Sequence, residues 1–303
     1  MWFIFSLMTA LAWGGADLFY KKGSDSNDKY SHIKIIIMVG LVMGIHATFY
    51  MVIKDIQFSP MDMIHYLPVS ALYILSMAFG YIGLRYIELS IASPIQNSSG
   101  AVTSILLFIF FTHELSILEL LGIIIITLGI IGIAVLEKRA EDEARRLNAE
   151  LIDKKYQIGF LAIMFPILYC IIDGLGTFAD AIYLDELNLI SENSALLAYE
   201  YTFFTCAVVA FIYLRFIKKE SFHVFKERTR GMAAILETTG QFFYVFAMAS
   251  GNAIIAAPLI ASYSIFSVIL SRIFLKEKLT QKQYMIIAVV IFGIILLGIA
   301  DEL

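Results

Sequence analysis

Four acidic side chains, Asp17, Asp173, Glu200 and Glu237, each fall inside an apolar run long enough to cross a bilayer. Charge within a bilayer is costly, so each of them invites a functional reading. Asp17 and Asp173 match under a shift of 156 residues, which also pairs Trp13 with Tyr169 and Met8 with Met164. Each half of the chain thus offers an aromatic ring at i and a carboxylate at i+4, positions that share one helix face. An aromatic face beside a carboxylate suits an ammonium or another organic cation. A buried carboxylate is also a natural place to hold a proton.

Each acid has a plainer reading as well. Asp17 lies about one turn from the end of its run with Lys21 at i+4, so a local ion pair accounts for it as well as a site does. Asp173 has no basic residue within a turn and sits mid-run, which favours function. Glu200 is flanked by Tyr199 and Tyr201, while Glu237 has Gln241 at i+4 and Tyr244 at i+7. Either glutamate reads equally as a helix-end residue facing headgroups. Asp180 reads as interfacial, and the isolated His46 and His65 read as helix-packing partners. No Lys or Arg is central in any run, which favours an organic cation or a proton over an anion as cargo.

Polar residues also follow two prolines at matching positions. Ile91-Ala92-Ser93-Pro94 is answered 164 residues later by Ile255-Ala256-Ala257-Pro258, and Gly129 by Gly293. Pro94 and Pro258 are expected to open helices, leaving nearby amides free for a ligand. Gln96 and Asn97 follow the first, Ser262 and Tyr263 the second, and all four are candidate contacts. Under the same shift, Tyr73 stands where the second half has Glu237.

These residues need a membrane scaffold. Hydrophobic residues make up 60% of the 303 positions and charged residues 16%, against about a quarter charged in soluble domains. Ten apolar runs, near 2–20, 31–53, 62–86, 90–111, 115–136, 157–184, 194–217, 231–250, 252–275 and 280–300, read as membrane helices. The fold expected is an all-α integral membrane protein of ten transmembrane helices in two inverted five-helix repeats, 1–136 and 157–303. A charged linker helix at 137–156 lies on the membrane surface between them. Gly40-x-x-x-Gly44 allows close helix contact in the second run. Lys and Arg concentrate in the odd-numbered loops, such as Lys21, Lys22 and Lys29 in the first, while Lys54 stands out among the even ones. The odd loops are therefore expected in the cytoplasm and both termini outside. Cys170 and Cys206 lie in apolar runs and offer neither a disulfide framework nor a zinc site. The net charge of −4 gives no nucleic-acid footprint, and no basic segment precedes the first apolar run to suggest a cleaved signal.

The sequence resembles the drug/metabolite transporter superfamily, specifically proteins with two EamA-type domains. The resemblance is carried by Ala12-Trp13-Gly14, Ile91-Ala92-Ser93-Pro94, Glu114-Leu115-Ser116, Ile255-Ala256-Ala257-Pro258, Glu277-Lys278-Leu279-Thr280, Gly129 and Gly293. It covers essentially the whole chain. Glu114 stands one residue closer to its Leu than Glu277 does, and Tyr169 takes the place of a second Trp found in many relatives. The resemblance implies helices 1–4 and 6–9 around a central cavity, with helices 5 and 10 outside.

The function expected is secondary active transport of a small organic metabolite across the cell membrane by alternating access. An amine or organic cation is favoured, with proton coupling or exchange through Asp173 helped by Glu200 or Glu237. An exporter or facilitator of neutral amino acids, with structural acids, is the alternative, and a non-transporting receptor or assembly subunit a third reading. No cofactor, metal, enzymatic activity or nucleic-acid partner is expected. The partners are the substrate, lipid and protons, and the protein is read as a monomer or homodimer.

Overall fold

An apolar chain shielded from water must close its hydrogen bonds within itself, and here it does so as helices. The computed structural model describes residues 1–25, 28–87, 89–112, 114–147, 159–250, 252–277 and 279–302, and among these no strand forms. The first half contains α1 (Trp2–Gly23), α2 (Ser31–Ile53), α3 (Pro60–His65), α4 (Leu67–Gly83), α5 (Leu89–Asn97), α6 (Ser99–Phe110) and α7 (Ile117–Leu147). The second contains α8 (Gly159–Ala181), α9 (Glu192–Ile212), α10 (Arg228–Met248), α11 (Ala253–Ala261), α12 (Tyr263–Leu270) and α13 (Gln281–Glu302).

Seven stretches are by themselves long and apolar enough to span a bilayer: Trp2–Gly23, Ser31–Ile53, Ile117–Leu136, Met164–Glu186, Glu192–Ile217, Ala253–Leu275 and Gln281–Ala300. The other three expected spans are not among them. The run at 62–86 breaks at Tyr66 between α3 and α4, and the run at 90–111 breaks at Ser98 between α5 and α6, as Ala253–Leu275 also does at Ser262. The third, α10, is diluted by Arg228, Arg230, Glu237, Thr238, Thr239 and Gln241. Large apolar side chains such as Phe49, Phe108, Val209 and Met285 are exposed on α2, α6, α9 and α13, a surface suited to lipid.

Two expectations are corrected here. Pro94 and Pro258 do not open helices; they lie inside α5 and α11, and the breaks come four residues later at Ser98 and Ser262. A proline frees the carbonyl four residues before it, and the Ile254 carbonyl freed by Pro258 accepts a hydrogen bond from Ser104 of α6 at 3.3 Å. The chain can therefore run through the proline. The start of the expected linker helix is not separate either, because α7 continues unbroken through Leu147. Residues 148–156 of that linker lie outside the described residues.

Packing follows the repeat. Helix α1 lies along α10 as α8 lies along α4, while α2 packs on α9 and α7 on α13. Exchanging the halves, helix for helix, maps this set onto itself. The last pair does so residue by residue. A Cβ on Gly129 would sit 2.2 Å from the Val290 side chain, and one on Gly293 would sit 2.9 Å from that of Ile126. Gly40 and Gly44 likewise let α2 close on Phe203, Phe204 and Ala207 of α9.

Candidate functional site

A cavity opens between the halves, with about 800 Å³ of unoccupied space including its mouth. Three carboxylates line it, Asp17, Asp173 and Glu237, and none of its lining residues is Lys, Arg or His. Hydroxyls hold each acid. Asp17 accepts from Ser93 of α5 at 2.6 Å and from Ser267 of α12 at 2.7 Å. Asp173 accepts from Ser76 of α4 at 3.2 Å and Ser99 of α6 at 2.8 Å. Glu237 accepts from Tyr20 at 3.3 Å. Helices from both halves thus meet at each aspartate or its neighbour.

The rest of the wall is largely aromatic. Trp13 stacks on Tyr244 with ring centres 5.2 Å apart and meets Tyr263 edge-on at 5.7 Å. Its indole N–H donates to the Glu237 carbonyl at 3.2 Å. Tyr73 hydrogen-bonds Tyr244 and donates to Thr177 at 3.0 Å, while the Tyr199 hydroxyl meets the Met77 sulfur. Tyr169, Gln96, Asn97 and Gln241 also line the cavity; Asn97 donates to Ser93, and the Gln96 amide nitrogen is buried without a partner.

Two residues singled out by sequence lie elsewhere. Glu200 does not line the cavity and does not point at headgroups. It is fully buried and paired at 2.8 Å with His46 of α2, so His46 is not isolated. Ser262 is buried and turns its hydroxyl back to the Leu259 carbonyl at 2.5 Å. Asp180, expected at the interface, is buried and accepts from Tyr66. Conversely, sequence reasoning missed Tyr20, Tyr81 and Thr177 as cavity residues and passed over Tyr73 as no more than a positional match. A signal existed: Tyr20 stands at i+7 from Trp13, and Thr177 at i+4 from Asp173, on the faces already identified.

The 156-residue match between α1 and α8 is also overturned. A Cβ on Gly14 would meet Tyr263 and Phe266, and one on Gly174 would meet Ser99 and Val102. Those neighbours are mates at the 164-residue repeat, so Gly14 and Gly174, 160 apart, are equivalent. Asp173 touches Ser76 and Ser99, and Trp13 touches their mates Gly240 and Tyr263. The mate of Asp173 is Trp13, and that of Asp17 is Thr177. Helix register follows the closest backbone approach, which small residues permit, and not the similarity of side chains facing a cavity.

At the end bearing the basic loops, charged groups join α1, α2 and α10. Asp28 pairs with Lys34 at 2.9 Å and Arg230 at 3.1 Å, and Arg230 also donates to the Gly23 carbonyl and pairs with Glu227. Partial burial opposes the charge on Asp28, but the Lys34 ammonium and the Tyr30 N–H outweigh it and hold its carboxyl below the ordinary value.

A family model described as the EamA-like transporter family matches residues 1–135 and again 160–299. The chain belongs to this family. It is therefore a multi-pass membrane protein built from two EamA repeats, in a family of small-molecule transporters. A solved structure titled only "Crystal structure of protein" superposes with a TM-score of 0.66 at 10% identity, covering 99% of this chain and 96% of that one. At that identity the likeness shows the fold alone. No curated protein matches the chain.

Proposed function

We propose that the protein is a secondary transporter that moves an organic cation across the cell membrane by alternating access, in exchange for or together with protons. The observation that carries this reading is the composition of the cavity: three carboxylates, seven tyrosines and a tryptophan, with no basic lining residue. Aromatic faces attract a cation through their quadrupoles, and carboxylates neutralise it or hold protons in its absence. In the membrane, α3 with α4, α5 with α6, and α11 with α12 each serve as one interrupted crossing, which brings the crossings to ten. Five crossings per half make the halves antiparallel. The basic loops face the cytoplasm and both termini face outward. The cavity lies where the two halves meet, the place from which rocking of one half against the other exposes it to each side in turn.

Asp173 carries the exchange, and Glu237, which shares the cavity, is its helper; Glu200 is set apart with His46. The test is flux of a labelled primary or quaternary amine in reconstituted vesicles under a pH gradient. Asp173→Asn is expected to abolish pH-dependent flux while the variant remains folded in detergent. Normal pH-dependent flux in a well-folded Asn variant removes Asp173 from the mechanism. If the wild type moves neutral amino acids and no amine, the acids are structural and the cation reading is wrong.

A further inference from the structure

The three cavity carboxylates are spread out. Among the described residues no three His, Cys, Asp or Glu side chains lie close enough to hold one metal ion. Asp17 is anchored on Ser93 and Asp173 on Ser99, six residues further along the α5–α6 crossing. At 1.5 Å of rise per residue the two anchors are about 9 Å apart along that crossing. Glu237 belongs to the Asp17 level, because its partner Tyr20 is three residues beyond Asp17 on α1. Trp13, one turn back from Asp17, meets Tyr263 and Tyr244 between the levels. The cavity is thus acidic at two depths with an aromatic waist.

A single ammonium answers one level and leaves the other to be neutralised by a proton, whereas a cation charged at both ends answers both levels at once. A compact divalent ion reaches one level as well. We propose that the cargo is a linear diamine, with one ammonium at Asp173, the other at Asp17 and Glu237, and its methylenes against the Trp13 and Tyr263 rings. If the charge-assisted contacts of about 2.8 Å run mostly across the crossing, they leave a nitrogen-to-nitrogen span of about 6–9 Å, which a zigzag of bonds of about 1.5 Å covers with about four to six carbons. The assignment rests on the cavity being a cation site.

The test is thermal stabilisation and binding of the purified protein with α,ω-diaminoalkanes of graded length, each compared with the n-alkylamine of the same carbon count. The expected result is at least about tenfold tighter binding of 1,5-diaminopentane than of n-pentylamine, a difference readily resolved in stability, with affinity falling toward both shorter and longer diamines. Asp173→Asn, and Asp17→Asn combined with Glu237→Gln, should each bring the diamine-to-monoamine ratio close to one. If a variant does not fold, the length series on the wild type decides alone. Equal binding of monoamine and diamine overturns the diamine assignment and leaves the cation site standing. Binding of no amine, with stabilisation by a neutral amino acid, overturns the cation site itself.

Discussion

Helix α1 presents Trp13 where α8 presents Asp173, and Asp17 where α8 presents Thr177. The two helices share their scaffold contacts, Gly14 against α12 and Gly174 against α6. They differ in which turn carries the carboxylate. Had the aspartates been true mates, they would occupy equivalent places on the two halves. Displaced by one turn, each has its own set of hydroxyl partners drawn from different helices. A duplicated scaffold therefore supports an unsymmetrical lining, and asymmetry enters through side chains facing the cavity while backbone contacts stay paired.

The largest effect expected is at the contacts that define this register. Gly14→Ala drives a Cβ to 2.7 Å from that of Phe266 and 3.2 Å from the Tyr263 carbonyl, so it should cost about 2–3 kcal/mol in detergent unfolding. Gly174→Ala, whose nearest neighbours are at 3.0 Å, should cost less, about 1–2 kcal/mol. A rise in stability for either would break the equivalence. Next is His46→Ala, which leaves the buried Glu200 carboxylate without its partner and should cost about 1–3 kcal/mol while sparing amine affinity, because the pair lies off the cavity. A loss of affinity larger than the loss of stability would join that pair to the site.

Asp17→Asn sharpens the comparison on the functional side. The amide oxygen keeps its hydrogen bonds from Ser93 and Ser267, so stability should change by less than about 1 kcal/mol. Amine affinity, measured by titration, should fall about tenfold. The smallest effect concerns Asp28, outside the cavity. Its carboxyl is held below the ordinary range, so its contribution is complete above that value and is lost as the pH falls through the lower folded value, below about pH 4. Asp28→Asn should flatten that acid limb and change stability at neutral pH by no more than about 1 kcal/mol.

Much of this was legible from the chain. The proline repeat marked the two halves, and Trp13, Asp17, Asp173, Glu237, Gln241 and Tyr244 were found from charge and helical spacing alone. What failed was knowledge of facing. Glu200 and Asp180 looked like end-of-helix acids because nothing in the sequence places His46 or Tyr66 opposite them. Ser262 looked like a ligand contact because a hydroxyl after a proline carries no mark of turning back to its own helix. Tyr20, Tyr81 and Thr177 were obscured by their setting, since a tyrosine or threonine in an apolar run draws less notice than an acid. The register error had the same root: side chains that look alike were aligned, while the glycines that touch the opposite helix were not.

The contact between α7 and α13 uses Gly129 on Val290 and Gly293 on Ile126, so it is its own image when the halves change places. A joint of that kind lies on the axis of the exchange. In the alternating access proposed above, a tilt that swaps the conformations of the two halves leaves points on that axis in place. The seam would then serve as a fiducial built into the molecule, and spin labels placed beside it are expected to keep their separation while those on the other helices shift.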